Sequence, residues 1–301
     1  MRRMVLTALA LVFLSMLLPG LAGAAGPVLT IGFLPEATSG DAIMIRGTAP
    51  RGDVVAISVN GELQVRVIAG PDMDVYHYAV SLAPGANRVT LALEGTEAAL
   101  TRTIFRTTAS FDDLPGHWAQ QDIVMLATLG VVNGIGGGAF GPDLTLTRAQ
   151  FAKLMVLGLG VKTDPAGPAA EFADGAEIPA WAGEFVSAAV ASGLIKGYED
   201  GTFRPQAPVS RVEMAVIAAR GLRLLGVTAG TRPPGAPAGW NPVVFSDADA
   251  IAAWAAADVT LTVGTGVTDR YLGTAFAPAR HGTRAEAAAM VRRLWSLRDR
   301  S

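Results

Sequence analysis

Three arginines stand at equivalent places in the C-terminal two thirds of the chain, each directly after a threonine or a serine: Arg148, Arg211 and Arg284. A glutamine or glutamate follows two residues after each arginine. A Thr or Ser with Gln or Glu three residues later is the capping-box signature, so each arginine is predicted at the first position of a helix. The helix dipole disfavours a cation there by about 0.3 to 1 kcal/mol, so a negative partner is expected nearby.

Two kinds of partner fit these arginines. A planar guanidinium makes a two-pronged contact with a carboxylate, and helix amides add affinity for anions, so the arginines are candidates for binding an acidic ligand. The alternative is an ion pair with a carboxylate of the chain itself, such as Asp143 or Glu213.

Other residues recur in step with the arginines, and they define three repeats. A Phe-x-Asp opens each copy, a tryptophan follows seven or nine residues after the phenylalanine, and a glycine stands twelve residues after the tryptophan. A second phenylalanine comes ten residues later, a proline two residues after that, and the arginine eight residues after the phenylalanine. The recurring residues are Asp113, Asp174, Asp247; Trp118, Trp181, Trp254; Gly130, Gly193, Gly266; Phe140, Phe203, Phe276; and Pro142, Pro205, Pro278.

Each repeat is predicted to be a helix, an irregular loop and a second helix. In the first copy, the helix runs from Trp118 to Leu129 and ends at Gly130, a residue type that readily takes the left-handed C-cap conformation. The loop after it is rich in Gly and Asp. One such unit cannot bury its own apolar face, so the three repeats must pack together.

The repeats resemble the S-layer homology (SLH) domain. The resemblance covers about residues 111 to 297 and rests on the tryptophan, on Gly-x-x-Asp-Gly-x-Phe-x-Pro and on Thr-Arg-Ala-Glu, with the middle copy closest to the pattern. It implies repeats at 111–161, 172–225 and 245–297, arranged with pseudo-threefold symmetry. It also implies non-covalent attachment to an anionic, often pyruvylated, secondary cell-wall polysaccharide in the grooves between repeats.

On that resemblance, four sets of residues are candidates for glycan binding. The arginines face a sugar carboxylate, and the loop glycines allow a positive φ, a close approach of a sugar ring or simply a tight turn. The tryptophans stack on sugars or belong to the core, which is the commoner role of a repeated tryptophan, and the aspartates contact ligand or cap the loop. The residues are Arg148, Arg211, Arg284; Gly134, Gly197; Trp118, Trp181, Trp254; and Asp113, Asp174, Asp247. Arg270 replaces the loop glycine in the third copy, so the grooves rank second, first, third.

The N-terminal third is predicted to contain an export signal and a β domain. Residues 1–25 combine Arg2 and Arg3, an apolar run and a small-residue cleavage site. Residues 27–107 hold seven short strand-like runs, the first at 28–33, with Asn60-Gly61 as the strongest hairpin signal. They predict a small immunoglobulin-like β-sandwich. The fold class is therefore multidomain, an all-β sandwich followed by an all-α, three-repeat SLH domain.

Composition and motifs exclude several functions. The chain has no cysteine, which rules out disulfides and cysteine-ligated metals, and its formal charge of −2 gives no basic nucleic-acid footprint. No nucleophile, zinc-hydrolase or phosphate-loop motif occurs, so no catalytic residue, metal or cofactor is expected. The prediction is a non-enzymatic, secreted protein of the bacterial cell surface. Two alternatives remain: the β-sandwich is itself a carbohydrate- or protein-binding module, with the repeats only as attachment, or the chain is an unrecognised cell-wall hydrolase.

Overall fold

The computed structural model describes residues 29–70, 75–165, 170–228, 245–268 and 273–298. The predicted export signal, most of the linker at 226–244 and Arg270 lie outside the described residues. Contacts divide the chain into two compact units whose boundary passes through several strands. The first unit contains residues 29–33, 44–70, 75–79 and 90–101; the second contains 34–43, 80–89 and the described residues from 102 onward.

The N-terminal region is built from seven strands in two sheets. They are β1 (Ala37–Thr38), β2 (Ala42–Thr48), β3 (Val54–Val59), β4 (Glu62–Ile68), β5 (Val75–Ser81), β6 (Gly85–Leu93) and β7 (Ala99–Arg106). A five-stranded sheet has the order β1-β7-β6-β3-β4, and β2 pairs with β5 in a two-stranded sheet. The predicted strand at 28–33 is absent from 29–33, where only single backbone hydrogen bonds run from Thr30 to Thr48 and from Gly32 to Arg46. Two-residue β1, parallel to β7, is the first strand instead.

The Asn60-Gly61 hairpin forms as predicted between β3 and β4. Both residues have positive φ, 53° and 87°, which a tight two-residue hairpin turn of the primed type requires. The strands pair antiparallel from Val54 opposite Ile68 to Val59 opposite Glu62, with a register shift at Ile57 and Ser58. Alternate side chains of β3 are buried, which supplies one face of the core of this region.

The rest of the described chain contains six α-helices, two to a repeat. They are α1 (Gln120–Thr128), α2 (Arg148–Leu159), α3 (Gly183–Ala191), α4 (Arg211–Leu224), α5 (Ala253–Gly264) and α6 (Arg284–Arg298). The predicted capping boxes form at Thr147 with Gln150 and at Ser210 with Glu213, and the same reciprocal bonds join Thr283 and Glu286. The C-cap glycines Gly130, Gly193 and Gly266 all have φ near +72° (71° to 73°), also as predicted.

The six helices pack in a closed cycle. The second helix of each repeat contacts the first helix of the next one, so α2 packs on α3 and α4 on α5, while α6 returns to α1. The three second helices α2, α4 and α6 also contact one another. Their shared core includes Phe140 and Phe203, which are 1% and 0% exposed.

A ring of backbone hydrogen bonds joins the three repeats just before their second helices. The Val209 amide donates to the Leu146 carbonyl (3.2 Å), the Gly282 amide to the Val209 carbonyl (2.9 Å) and the Leu146 amide to the Gly282 carbonyl (3.4 Å). Each repeat therefore donates one bond and accepts one. Because these backbone groups are satisfied only by the neighbouring repeats, each loop depends on the other two.

Candidate functional site

The three repeated aspartates hold their own loops. Each carboxylate accepts two backbone N–H bonds, one per oxygen, from the loop phenylalanine and the residue after it; in the second repeat these come from Phe203 and Arg204, both at 2.7 Å. Asp113 does the same with Phe140 and Gly141, and Asp247 with Phe276 and Ala277. The loop-cap interpretation of the aspartates matches this geometry, and both oxygens of each carboxylate already have a partner within the chain.

These bonds also determine the acidity of the aspartates. For Asp113 and Asp247, the hydrogen bonds from the loop backbone lower the carboxyl pKa below its ordinary value of 3.8. Burial on its own would raise the pKa of Asp174, but its bonds from Phe203 and Arg204 outweigh that effect and lower it. Hydrogen bonds that favour the charged form always act in this direction.

The loop glycines Gly134 and Gly197 make room for an aromatic ring. Neither is among the glycines with positive φ. A Cβ on Gly134 would lie 2.8 Å from the ring of Phe111, and one on Gly197 would lie 2.6 Å from the ring of Phe172. The positive-φ interpretation of these two glycines is therefore wrong. Their role in the fold is to let the opening phenylalanine of the repeat pack against the loop.

Each repeated arginine reaches into the next repeat. Arg148 donates to the Lys196 carbonyl (2.6 Å), and its guanidinium lies 4.7 Å from the Tyr198 ring centre. Arg211 donates to Glu286 (2.7 Å) and lies over the ring of Phe276. The third repeat closes the cycle, because Arg284 donates to the carbonyls of Asn133 (2.7 Å) and Phe140 (3.0 Å) and its guanidinium lies 4.4 Å from the Phe140 ring centre.

The amides of the first helical turns are also used within the fold. The Arg148 amide donates to the Ala207 carbonyl (2.9 Å), that of Arg211 to Arg280 (2.8 Å) and that of Arg284 to Leu144 (2.8 Å). The expectation that these helix amides add affinity for a bound anion is therefore wrong for the arginine positions. Neighbouring repeats satisfy them instead.

Two of the three arginines have a carboxylate of the chain as partner. Arg148 lies 3.6 Å from Glu213, and Arg211 lies 2.7 Å from Glu286, which also pairs with Arg280. For these two the ion-pair alternative describes the geometry, with Glu213 confirmed as a partner, whereas Asp143 lies 3.8 Å from His117. Within the described residues, Arg284 forms no ion pair; burial lowers the pKa of its guanidinium, and the more distant charge of Asp113 offsets part of that effect.

The three tryptophans lie at the surface. Trp118 is 51% exposed, Trp181 46% and Trp254 65%, so the interpretation of these residues as core is wrong. In the first two repeats the tryptophan precedes the helix rather than lying in it, since α1 begins at Gln120 and Trp181 belongs to a short 3₁₀ turn before α3. The indole is thus exposed at the protein surface, where a sugar ring can stack against it.

A cavity of about 310 Å³ brings residues of all three repeats together. We call it the first-loop cavity, because the loop of the first repeat forms one wall. Its lining residues are Val131, Val132, Asn133, Gly134, Ile135, Phe140, Leu146, Gln150, Lys153, Leu154, Trp181 and Arg284. The lining thus contains one member of three of the four candidate sets, namely Arg284, Trp181 and Gly134, but no aspartate or other carboxylate.

Sequence reasoning missed Gln150 and Lys153 as site residues. Lys153 extends its ammonium to 5.6 Å from the Trp181 ring centre and 5.1 Å from that of Phe185. The repeat register contained the signal, since the positions equivalent to Lys153 are Val216 and Ala289. A lysine in one copy only, within a stretch of α2 that is otherwise apolar from Phe151 to Leu159, marks a place where the repeats differ in chemistry.

Fold and site together define a helical three-repeat protein with a cavity that is lined by residues of all three repeats. The S-layer homology domain family matches residues 110–152, 171–215 and 244–288. The chain therefore contains three tandem S-layer homology domains, and it is a secreted protein of the bacterial cell surface.

Relatives with the same repeats have varied names. Amylopullulanase of Thermoanaerobacterium thermosulfurigenes is 31% identical over 62% of this chain and 10% of its own length. The surface-layer 125 kDa protein of Lysinibacillus sphaericus is 31% identical over 37% of this chain and 10% of its own. The cellulosome-anchoring protein of Acetivibrio thermocellus is 34% identical over 38% of this chain and 26% of its own. This chain thus matches 10% to 26% of the length of these relatives.

Proposed function

We propose that the chain is a non-catalytic cell-surface protein, held non-covalently to an anionic secondary cell-wall polysaccharide, with a pyruvylated polymer as the candidate to test. The observation that supports it best is the first-loop cavity, where Arg284 and Lys153 stand beside the half-exposed Trp181. No carboxylate among the described residues pairs with either cation. Two unneutralised cations beside an aromatic face suit a sugar that carries a carboxylate.

The size and shape of the cavity support a single sugar residue as the bound unit. Its volume of about 310 Å³ is at the small end of the range for ligand pockets, roughly 300 to 1,000 Å³. A pyranose ring stacked on the Trp181 indole would hold its carboxylate toward the positive end of the cavity. Apart from Asn133 and Gln150, the remaining lining residues are apolar or glycine, as in most sites that bind small polar ligands.

The lining of the cavity supports a non-catalytic role. Glycoside hydrolysis by the usual routes needs two carboxylates on either side of the scissile bond, about 5 to 9.5 Å apart, and the first-loop cavity has none. The enzyme names among the relatives belong to proteins of which this chain covers 10% to 16%. The hydrolase alternative predicts release of reducing ends from purified walls, whereas the proposal predicts none.

The architecture that we propose has two finer features. The five- and two-stranded sheets would form an immunoglobulin-like sandwich, since their strands alternate buried and exposed positions. The cyclic packing of α2, α4 and α6, together with the ring of backbone bonds at Leu146, Val209 and Gly282, supports a pseudo-threefold relation of the repeats.

Co-sedimentation with walls tests the proposal. The full chain is mixed with purified walls of Lysinibacillus sphaericus, either intact or chemically stripped of their secondary polymer. We expect retention on intact walls only, and a several-fold loss for Lys153→Ala, whose ammonium contributes no hydrogen bond or ion pair to the described fold. Equal retention on stripped walls would refute the polymer as ligand. The Lys196→Ala variant, at an exposed lysine of the second repeat, is the matched control.

A second role for the β region is favoured by its edge strand. In the order of the described strands β4 lies at the end of the five-stranded sheet, and its Leu63 and Ile68 are 47% and 66% exposed. An apolar edge offers unpaired backbone groups to another chain or ligand. This role predicts polymer-independent retention on stripped walls that is lost in Leu63→Ser/Ile68→Ser.

A further inference from the structure

The three junctions between repeats differ at one position of the second helix. The third residue of α2 is Gln150, whereas α4 and α6 have Glu213 and Glu286 there. All three side chains accept the backbone N–H of the N-cap residue, so all three complete a capping box. The difference lies in the rest of the side chain, which is a neutral amide in Gln150 and a charged carboxylate in Glu213 and Glu286. The capping function therefore does not explain the exchange of glutamate for glutamine.

That charge decides whether the neighbouring arginine is neutralised. Glu213 and Glu286 reach Arg148 and Arg211 at 3.6 Å and 2.7 Å, and both arginines are buried, at 6% and 7% exposed. Gln150 lines the same cavity as Arg284 and has no charge to offer it. Arg284 is only partly buried, and its hydrogen bonds go to two backbone carbonyls, which leave its charge in place.

The second difference adds a cation at the same junction. One turn further along α2 stands Lys153, and its counterparts Val216 and Ala289 are apolar. Lys153 lies in the first-loop cavity with Arg284, over the ring of Trp181. The first-loop cavity thus holds two cations and no carboxylate. Arg148 and Arg211, in contrast, each form an ion pair within the fold.

From this asymmetry we infer that the chain has one high-affinity subsite for a carboxylated sugar, the first-loop cavity, and that Gln150 is the residue that leaves it open. Arg148 and Arg211 act as clamps between repeats rather than as ligand contacts. The inference rests on the proposed polysaccharide binding and narrows it to one sugar residue per chain. Its carboxylate takes the place, beside Arg284, that a glutamate side chain occupies at the other two junctions.

The test is a pair of reciprocal substitutions read out by NMR titration of the ¹⁵N-labelled full chain. The probe is a methyl hexoside with a 4,6-O-pyruvate ketal, and its methyl ester is the neutral control. We expect the free acid, but not its methyl ester, to shift the amide resonances of residues 133–135 and 150–154. Gln150→Glu should weaken binding about tenfold or more, because a like charge then opposes the ligand carboxylate. Glu213→Gln, which keeps its capping box, should leave the affinity unchanged.

The outcomes separate this inference from the function it rests on. Unchanged affinity of Gln150→Glu, comparable shifts at 195–198, or no shifts in a chain that still sediments with walls would each overturn the single-subsite inference alone. Failure of the wild type to sediment with polymer-bearing walls would instead overturn the proposed function. Lys153→Val, which copies the residue at position 216, is a second variant expected to weaken binding, so the test does not depend on the folding of Gln150→Glu.

Discussion

Arg284 and Asn133 are 151 residues apart in the chain, yet the Arg284 Nη2 donates a 2.7 Å hydrogen bond to the Asn133 carbonyl. This bond joins the start of the last helix to the loop of the first repeat and closes the cycle of three. The same guanidinium lines the first-loop cavity. The candidate site therefore forms only when the third repeat packs against the loop of the first.

Replacing a clamp arginine should destabilise the fold without removing the binding site. Arg211→Ala leaves the buried Glu286 with the more exposed Arg280 as its remaining ion-pair partner. Loss of one member of a buried pair costs about 3 to 5 kcal/mol, and Arg280 should reduce that cost. We expect a clear drop in the free energy of unfolding in urea, with wall retention per folded molecule unchanged. A loss of retention at constant stability would contradict the clamp role.

The exposed tryptophan should matter for binding more than for stability. Trp181→Ala removes a side chain that is 46% exposed, so the cost should be about 1 kcal/mol, while binding of the pyruvylated hexoside falls. Phe203→Ala is the matched core control and should cost about 3 to 5 kcal/mol. If both variants unfold at the same urea concentration, the assignment of Trp181 to the protein surface is refuted.

One position after the loop phenylalanine has a left-handed backbone in all three repeats. Gly141, Arg204 and Ala277 have φ of 71°, 58° and 53°. This conformation costs a residue with a Cβ about 1 to 2 kcal/mol, so Ala277→Gly should raise stability by about 0.5 to 1 kcal/mol after the entropy of glycine is counted. Gly141→Ala should lower it, since the new Cβ would also lie 2.7 Å from Leu144. Thermal unfolding checks the pair; equal melting temperatures would argue against the strained backbone.

The aspartates that cap the loops predict how the fold responds to acid. Because the pKa of Asp174 is lowered in the folded chain, its stabilising effect is present above the ordinary value of 3.8 and is lost as the pH falls through the folded value. Asp174→Asn should lower the melting temperature at pH 7 and flatten its fall as the pH drops below the ordinary carboxyl value of 3.8. If the melting temperature of the variant falls with pH as steeply as that of the wild type, protonation of Asp174 is not coupled to unfolding.

Local rules were sufficient for the starts of the second helices and for the hairpin. The capping pairs and Asn60-Gly61 determine backbone geometry within a few residues, so sequence spacing alone predicts them. Sequence analysis named Glu213 as a possible partner, but it could not assign each arginine to its carboxylate, because Arg148 meets Glu213 and Arg211 meets Glu286 only after the repeats close. Trp181 was misjudged because its fixed register suggested a helical core position, whereas it precedes α3.

The difference between Gln150 and Glu213 was visible in the sequence but had no meaning before the fold was known. Either residue completes a capping box, so the repeat pattern treats them as equivalent. Only the position of Arg284 across the cavity makes the missing charge relevant to binding. The residues that form a binding site between repeats can therefore be identified only from the tertiary structure, even where the helices and loops can be predicted from sequence.

The most direct test of the account is calorimetric titration of the full chain with purified wall polysaccharide before and after its carboxyl groups are reduced to alcohols. Recognition by Arg284 and Lys153 requires the negative charge, so the native polymer should bind, less tightly as salt is raised, and the reduced polymer should give no measurable heat. Equal affinity for the two polymers would contradict the claim that the first-loop cavity binds an acidic sugar.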